Sequence, residues 1–575
     1  MHASAPSPSD ASPSNGGHGP TVYLETFGCQ MNELDSELVS GRLRALGYAF
    51  TPDREAADVV LYNTCSVREH AEQKVWSRLG ELKERKLSHP SLVVGVMGCL
   101  AERDGQDLIR RMPVVDILVG PGELDKLPSL LDNAVRTRES LLAEPEVTGG
   151  GEPLRSAKQV ALQGSASRRS ATLAAAADSL EMLDLSRSIS PTDADEGAGK
   201  KSAYVRITRG CNKFCTYCVV PFTRGAEIHR PPEHILDECR RLADAGVIEV
   251  TLLGQTVNHY RFEHGAAVTV GGVVQPQKGR SYAGGHARDP FAGANVTTFA
   301  DLLRRIHDEV PAIRRLRFVT SYPRDFGDDV LEVIRDHPRI CRYLHVPAQS
   351  GSNRLLKLMN RGYEVEEYLE FLDRARAHLH QPELGRPLEV SGDFIVGFPT
   401  ETDEDFEATV SLVEKARYKN SFIFKYSPRP GTTAFDKMAD DVPEPVKRTR
   451  NNRLLAVQAA ISQERGEAYV GREAEVMVEG FSAKERKRRS REQGACGTGG
   501  TIELTIGGRG RDAAALEERA MAPEAGEAQF SARTDTDMIV LLEQPASRAT
   551  ELVGTIRRVR ITGASALTLT GELIG

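Results

Sequence analysis

No apolar run in this sequence approaches the roughly 18 residues of a membrane-spanning helix, which excludes an enzyme threaded through a bilayer. The first twenty residues lack both a basic start and an apolar stretch, so they read as a disordered tail rather than an export signal. Positive charge is not in excess either. Lys and Arg number 74 against 81 Asp and Glu, a net charge of −7, so the whole molecule is no polycation for nucleic acid, although a local basic patch stays compatible with that balance. Without export the compartment is reducing, here the cytoplasm. The nine cysteines are then expected as thiols, metal ligands or buried small hydrophobes, not disulfides. The remaining composition, 40 % hydrophobic and 27 % charged, is that of a soluble enzyme. At 575 residues the chain is too long for one core, and two to four domains are expected.

The pattern divides the chain. Residues 1–20 are the tail. Residues 21–147 alternate short β-branched runs (21–25, 57–63, 92–98, 115–120) with helical stretches near 34–47, 66–83 and 101–111, which predicts a parallel α/β domain. Residues 148–200, rich in Gly, Ala and Ser, read as a disordered linker with at most a transient helix near 170–186. Residues 201–440 hold six further strand–helix units, which suggests a partial (β/α)6 barrel, interrupted by a loop without clear elements at 261–298. A polar connecting helix spans 441–467. Short strands and turns over 468–575 predict a small all-β barrel with flexible loops, one of them the basic run Lys484–Arg491. The fold class is therefore α/β with a C-terminal β-barrel.

The cysteines carry the chemistry. In RGCNKFCTYCVVPFTRG (209–225), Cys211, Cys215 and Cys218 stand in a CX3CX2C spacing just past the first barrel strand. A four-iron cluster usually takes four thiolates; three leave one iron open for a small molecule. S-adenosylmethionine suits that iron through its amino and carboxylate groups, and one electron then cleaves its sulfonium bond to give a carbon radical. The rival is zinc, with His229 as the nearest fourth ligand, or simply buried thiols. The position after a barrel strand and Tyr217 inside the loop stand against zinc.

Cys29, Cys65 and Cys99 follow a different logic. They are 65 − 29 = 36 and 99 − 65 = 34 residues apart, too far for a local metal loop. Yet each falls just past the carboxyl end of a predicted parallel strand, and such ends line one crevice. Three thiols meeting there suggest a second cluster, again one ligand short. The rival is three core cysteines, but those belong within strands, not in turns such as FGCQMN and MGCLAE. Two open clusters imply a radical that removes an unactivated hydrogen and a centre that presents sulfur, hence C–S bond formation. Cys239, Cys341 and Cys496 show no such arrangement.

With these residues in view, the sequence resembles the methylthiotransferases of the radical S-adenosylmethionine superfamily, and among them the MiaB-like tRNA enzymes. The resemblance lies in TFGCQMNELDSE (26–37), NTCSVRE (63–69), GCLAER (98–103), YVRITRGCNKFCTYCVVPFTRG (204–225), LLGQTVNHY (252–260), HVPAQSGSNRLLKLMNRGY (345–363), DFIVGFPTET (393–402) and YSPRPGTTA (426–434). It implies two 4Fe-4S clusters, an auxiliary one on Cys29, Cys65 and Cys99 and a radical-generating one on Cys211, Cys215 and Cys218. It implies addition of a methylthio group to C2 of N6-isopentenyladenosine at tRNA position 37, with two S-adenosylmethionine molecules, a sulfur donor, and an electron donor such as flavodoxin or ferredoxin. A monomer is expected. The C-terminal barrel resembles a TRAM RNA-binding domain.

The resemblance also suggests cofactor contacts at Tyr217, Gly254, Gln255, Gly392 and Gly397, a substrate-pocket role for His345 and Gln349, and phosphate contact by Arg533 of SARTDTD. Lys447, Arg448, Arg450 and Arg453 are expected to orient the RNA. A sister branch acts on threonylcarbamoyl-adenosine and another on a ribosomal protein; Gln30-Met31-Asn32 favours the isopentenyladenosine branch. A non-catalytic iron–sulfur RNA-binding regulator is the alternative from another class.

Overall fold

A computed structural model of the chain describes residues 20–66, 69–143, 158–162, 178–188, 201–279, 295–492 and 526–574. The N-terminal sheet is wholly parallel, in the order Ala49–Phe50, Thr21–Phe27, Val59–Thr64, Val93–Gly98, Ile117–Val119, Gln159–Ala161. Its central strands VVLYNT and VVGVMG are buried along their whole length, as a parallel sheet covered on both faces requires. One apolar cluster, with Val22, Leu38 and Leu61, fills one face, and another, with Val60, Leu79 and Val94, fills the other.

The central domain is an open barrel of six parallel strands in sequence order. Ser202–Arg206, Glu249–Leu253 and Arg315–Phe318 form one half, and Tyr343–His345, Glu389–Val396 and Asn420–Lys425 the other. A parallel bridge between Leu316 and Ile340 joins the halves. Several helices outside the barrel start at capping boxes, Thr298 with Asp301 and Thr402 with Asp405, which satisfy the first free N–H groups. The helix Glu444–Glu467 packs on the last barrel strand and leads to a closed five-stranded barrel, Glu473–Phe481, Glu527–Thr534, Ile539–Pro545, Thr568–Leu573 and Ile556–Ala564. No helix among the described residues is long and apolar enough to cross a membrane.

Two segments differ from expectation. Within the expected linker, the described residues form an edge strand, Gln159–Ala161, and a helix, Ser179–Leu185. The helix lies within the stretch 170–186 where a transient helix was expected, and buried charge anchors it. Glu181 and Asp184 are buried against Arg230 and Arg206, while Leu180 and Leu183 enter the N-terminal core. The expected structureless insert holds short strands. Gln277–Lys278 pairs antiparallel with Ile228–His229, just beyond the CX3CX2C loop. Residues 280–294 and the tail before residue 20 lie outside the described residues.

Candidate metal centres and cofactor site

Three neighbouring strands of the N-terminal sheet end level with one another, Phe27 opposite Thr64 and Thr64 opposite Gly98. A cysteine follows each within two residues. Cys29 caps the helix Gln30–Ala45, Cys65 donates its backbone N–H to the Phe27 carbonyl at 2.9 Å, and Cys99 opens the helix Cys99–Asp104. Register therefore brings together thiols that sequence keeps apart. Gly98 makes the last turn, with φ +98°, and a Cβ there would lie 2.6 Å from the Thr64 carbonyl oxygen. Asn32 and Asn63, both fully buried, brace the edge. Asn32 donates to the Asn63 side chain at 2.8 Å, and the Cys29 thiol donates to Asn32 at 3.2 Å.

The second triad is local. Gly210 enters the loop at φ +69°, where a side chain would run into the Gly225 and Ala226 carbonyls. Cys211 N–H donates to the Gly225 carbonyl at 3.1 Å, and Cys218 N–H to the Cys215 carbonyl at 3.0 Å. The loop is tied to the far side of the barrel. Thr216 N–H donates to the Met359 carbonyl, and Ala434 N–H donates to that of Thr216. Arg361 places Nη1 3.4 Å from the Cys215 sulfur while its Nη2 holds the Pro347 carbonyl at 2.9 Å.

The electrostatics differ between triads. The Cys65 thiol's hydrogen bond, helped by Arg224, holds the Cys29 thiol down to about 5 although burial pushes the other way. Burial lifts Cys99, with Arg224 opposing. Burial pushes Cys211 up to about 12 and Cys218 higher still. Lone thiolates at Cys211 and Cys218 would be expensive, and bound iron would supply the compensating charge that holds them as thiolates. Among the described residues, the groups whose ligand atoms crowd within 4.8 Å, as around a single ion, are Glu227–His229–His259 and His307–Asp308–His337. His229 thus lies with Glu227 and His259. Both triads, with three sulfurs and a buried arginine beside them, fit an iron–sulfur cluster with one iron left open.

Family models match at both places, the uncharacterised protein family UPF0004 over residues 21–120 and the Radical SAM superfamily over 205–413. A tRNA-2-methylthio-N(6)-dimethylallyladenosine synthase from Rhodopirellula baltica is 45 % identical over 81 % of this chain and 85 % of its own. Its counterpart from Clostridium botulinum is 38 % identical over 81 % and 87 %. The chain belongs to this synthase family. A looser structural likeness is TsrM, a radical S-adenosylmethionine methyltransferase from Kitasatospora setae, at TM-score 0.44 and 15 % identity over 72 % of this chain and 77 % of that one.

The other expected site residues divide in this member of the synthase family. Tyr217 packs on the apolar cluster of Leu355, Phe398 and Tyr426, so the loop and the segment after the fifth barrel strand do meet. Gly254 abuts the Thr208 side chain, and Gln255 and Thr256 follow, with the Thr256 hydroxyl 3.9 Å from the Cys211 sulfur. At Gly392 in the fifth strand and Gly397 just after it, neighbouring side chains stand where a Cβ would go. A Cβ at Gly392 would meet the Tyr418 ring at 3.1 Å, and one at Gly397 would collide with Lys447. The space those glycines leave is filled by protein. His345 sits inside the barrel with Nε2 3.3 Å from the Asp393 carboxylate and Nδ1 2.8 Å from the Ser391 hydroxyl. Gln349, at φ +73°, bridges to Phe394.

The expected RNA contacts need correction. Lys447 is buried against Asp440, and Arg450 against Glu401 and Asp403. Arg453 is half exposed but paired with Glu407, while Arg448 is exposed. Arg533 pairs with Glu479 and Asp537, and Asp535 is turned to the barrel seam. There Arg315 donates to the Arg533 carbonyl at 2.8 Å, Arg317 to that of Asp535 at 3.2 Å, and Lys419 pairs with Asp537 at 2.7 Å. SARTDTD therefore docks the small barrel on the large one. The basic run is a helix, Ala483–Glu492, in which Glu485 pairs with Arg488 and Arg489, and Arg489 lies buried over the Phe481 ring. Sequence reading missed Arg224 and Arg361. Both stand inside quoted motifs, yet only the fold turns them toward sulfur.

Proposed function

We infer that this protein is a radical S-adenosylmethionine methylthiotransferase, which converts N6-isopentenyladenosine in tRNA, beside the anticodon at position 37, to its 2-methylthio derivative. The observation that carries the reading is the pair of three-thiol sites on adjoining domains. Cys218 and Arg224 are six residues apart, a reach of at most ~20 Å, and Arg224 faces the other triad. When bound, the clusters and S-adenosylmethionine supply the electron, the radical, the sulfur and the methyl group. The chain supplies the holding. Cys211, Cys215 and Cys218 would keep one cluster, Cys29, Cys65 and Cys99 the other. Arg361 stabilises negative charge at Cys215. Tyr217 and the Gly254–Gln255 turn would serve as cofactor contacts, the residue after that turn, Thr256, standing with its hydroxyl 3.9 Å from the Cys211 sulfur. His345, oriented by Ser391 and Asp393, lines the barrel interior where the splayed adenine would enter, since a base must leave its stack to be modified.

Phosphate contact is better placed on Arg557, Arg558 and Arg560 of the strand Ile556–Ala564 than on the residues first expected. Arg558 and Arg560 alternate with buried Val559 and Ile561, point outward and are more than half exposed, though tied to Glu473. A one-electron donor such as flavodoxin or ferredoxin and a separate sulfur donor complete the reaction, and the chain acts as a monomer. Nucleoside mass analysis of tRNA from a strain lacking the gene, with and without complementation, tests the reading. Isopentenyladenosine should accumulate unmodified and be methylthiolated again on complementation. Persistence of the methylthio form in the deletion would reject it.

A further inference from the structure

The chain segment that leaves the radical triad enters the other site. Beyond Cys218 it forms the short helix Val220–Thr223, which packs against the helix opened by Cys99 and ends at Arg224. The Arg224 side chain is buried, and its Nη2 stands 2.8 Å from the Asp35 carboxylate. Asp35 is itself buried and takes a second guanidinium, that of Arg206, at 3.0 Å. Beside Asp35, the Cys99 and Cys29 thiols are the strongest electrostatic partners of Arg224, and the helix opened by Cys99 packs on the short helix that carries it. Asp35 is thus shared by two cations, Arg206 taking Asp184 as well, whereas Arg224 has its ion pair with Asp35. The same guanidinium interacts with the thiol edge of the neighbouring domain, by a hydrogen bond to Cys99 and by charge with Cys29. The other triad has its own arginine, Arg361, but from its own barrel.

We propose that Arg224 is a positioning residue for the auxiliary cluster: a cation supplied by the radical domain that stabilises the cluster's added negative charge and so raises its reduction potential. The physics is Coulombic. Reduction adds one electron to a buried centre, and a nearby buried cation favours the more negative state. Arg224 acts through the thiolates of Cys99 and Cys29. Docking of the two domains would then set the auxiliary potential, because the cation arrives only with the seam.

This rests on the reading of Cys29, Cys65 and Cys99 as cluster ligands, and the experiment separates the two. Wild type, Arg224→Gln, Arg224→Lys and Asp35→Asn are reconstituted anaerobically, iron is counted, and each cluster's midpoint potential is followed by spectroscopic titration without tRNA. Added S-adenosylmethionine perturbs the radical cluster's signal and so labels it. About eight irons in wild type are expected from two four-iron clusters. About four would remove the ligand reading and the proposal with it. With two clusters present, Arg224→Gln should move the auxiliary potential in the negative direction, Arg224→Lys should largely restore it, and Asp35→Asn should move it in the positive direction. The radical cluster should shift little in all three variants. A purely structural role predicts the same loss of melting temperature in Arg224→Gln and Asp35→Asn, with no opposite displacement of potential, and that result overturns the proposal. Should Arg224→Gln fail to hold the auxiliary cluster, retention by Arg224→Lys supports a need for charge, and loss in both overturns it.

Discussion

The two thiol triads are built by opposite routes. Cys211, Cys215 and Cys218 lie within eight residues, and the loop's own hydrogen bonds, Cys211 to Gly225 and Cys218 to Cys215, shape it. Cys29, Cys65 and Cys99 depend on three parallel strands ending level, on an asparagine brace, and on a cation from another domain. A local site survives damage to the rest of the protein better than one assembled from long-range register. The auxiliary site should therefore be the first to fail when the fold is disturbed.

The largest effects come from removing the thiols themselves. Cys215→Ala should abolish both methylthiolation and 5′-deoxyadenosine release while leaving about four irons. Replacing Cys29, Cys65 and Cys99 together by alanine should also leave about four, yet 5′-deoxyadenosine should still be released when S-adenosylmethionine and dithionite are supplied. Equal loss of that release in both would erase the division of labour between the sites.

Next in size is the domain seam. Arg206, 1 % exposed, bridges Asp35 of the N-terminal helix and Asp184 of the Ser179–Leu185 helix. Removing one member of a buried ion cluster strands the others, at a cost of about 3–5 kcal/mol. Arg206→Gln should lower the melting temperature and halve the iron, with the loss confined to the auxiliary cluster. If the radical cluster were lost equally, the contrast between local and assembled sites would be wrong.

Gly98 allows a gentler cut. Gly98→Ala forces a left-handed residue against the Thr64 carbonyl, worth about 1–3 kcal/mol from the backbone alone. Iron at the auxiliary site should fall in that variant while the loop cluster is retained. Gly210→Ala should do the reverse, since its Cβ would strike the Gly225 and Ala226 carbonyls beneath the loop. Resonance intensities of the two clusters measure both.

The same contrast explains what could be read in advance. The local triad is legible as spacing. The assembled one was legible because FGCQMN and MGCLAE put cysteines in turns after strands, and parallel strands align their ends. The strands of the barrel were visible as apolar runs. What stayed hidden depends on partners far along the chain. The Ser179–Leu185 helix was expected only as a transient one inside a linker, because the partners that fix it, Arg230 for Glu181 and Arg206 for Asp184, lie far along the chain. Lys447 and Arg450 looked like RNA ligands for the same reason, and the strand Glu527–Thr534 was lost between an acidic stretch and SARTDTD. At Gly392 and Gly397 the neighbours that a side chain would strike, Tyr418 and Lys447, lie well along the chain and were likewise not visible in advance.

The smallest effect concerns pH, and it tests whether the seam stays charged. Glu181 is buried, which alone would raise it, but Arg230 and His234 hold its carboxyl down to about 2. An unfolded glutamate titrates near ~4.3. The folded value is the lower one, so the unfolded chain binds the proton more readily. The Glu181 contribution is then complete above ~4.3 and is lost as pH falls toward 2. In metal-free protein, the melting difference between wild type and Glu181→Gln should be flat from about pH 8 to 5 and shrink below that. A difference that already shrinks between pH 7 and 5 would mean that Glu181 is not held as an ion, and that the seam carrying Arg224 to the auxiliary triad is weaker than its geometry indicates.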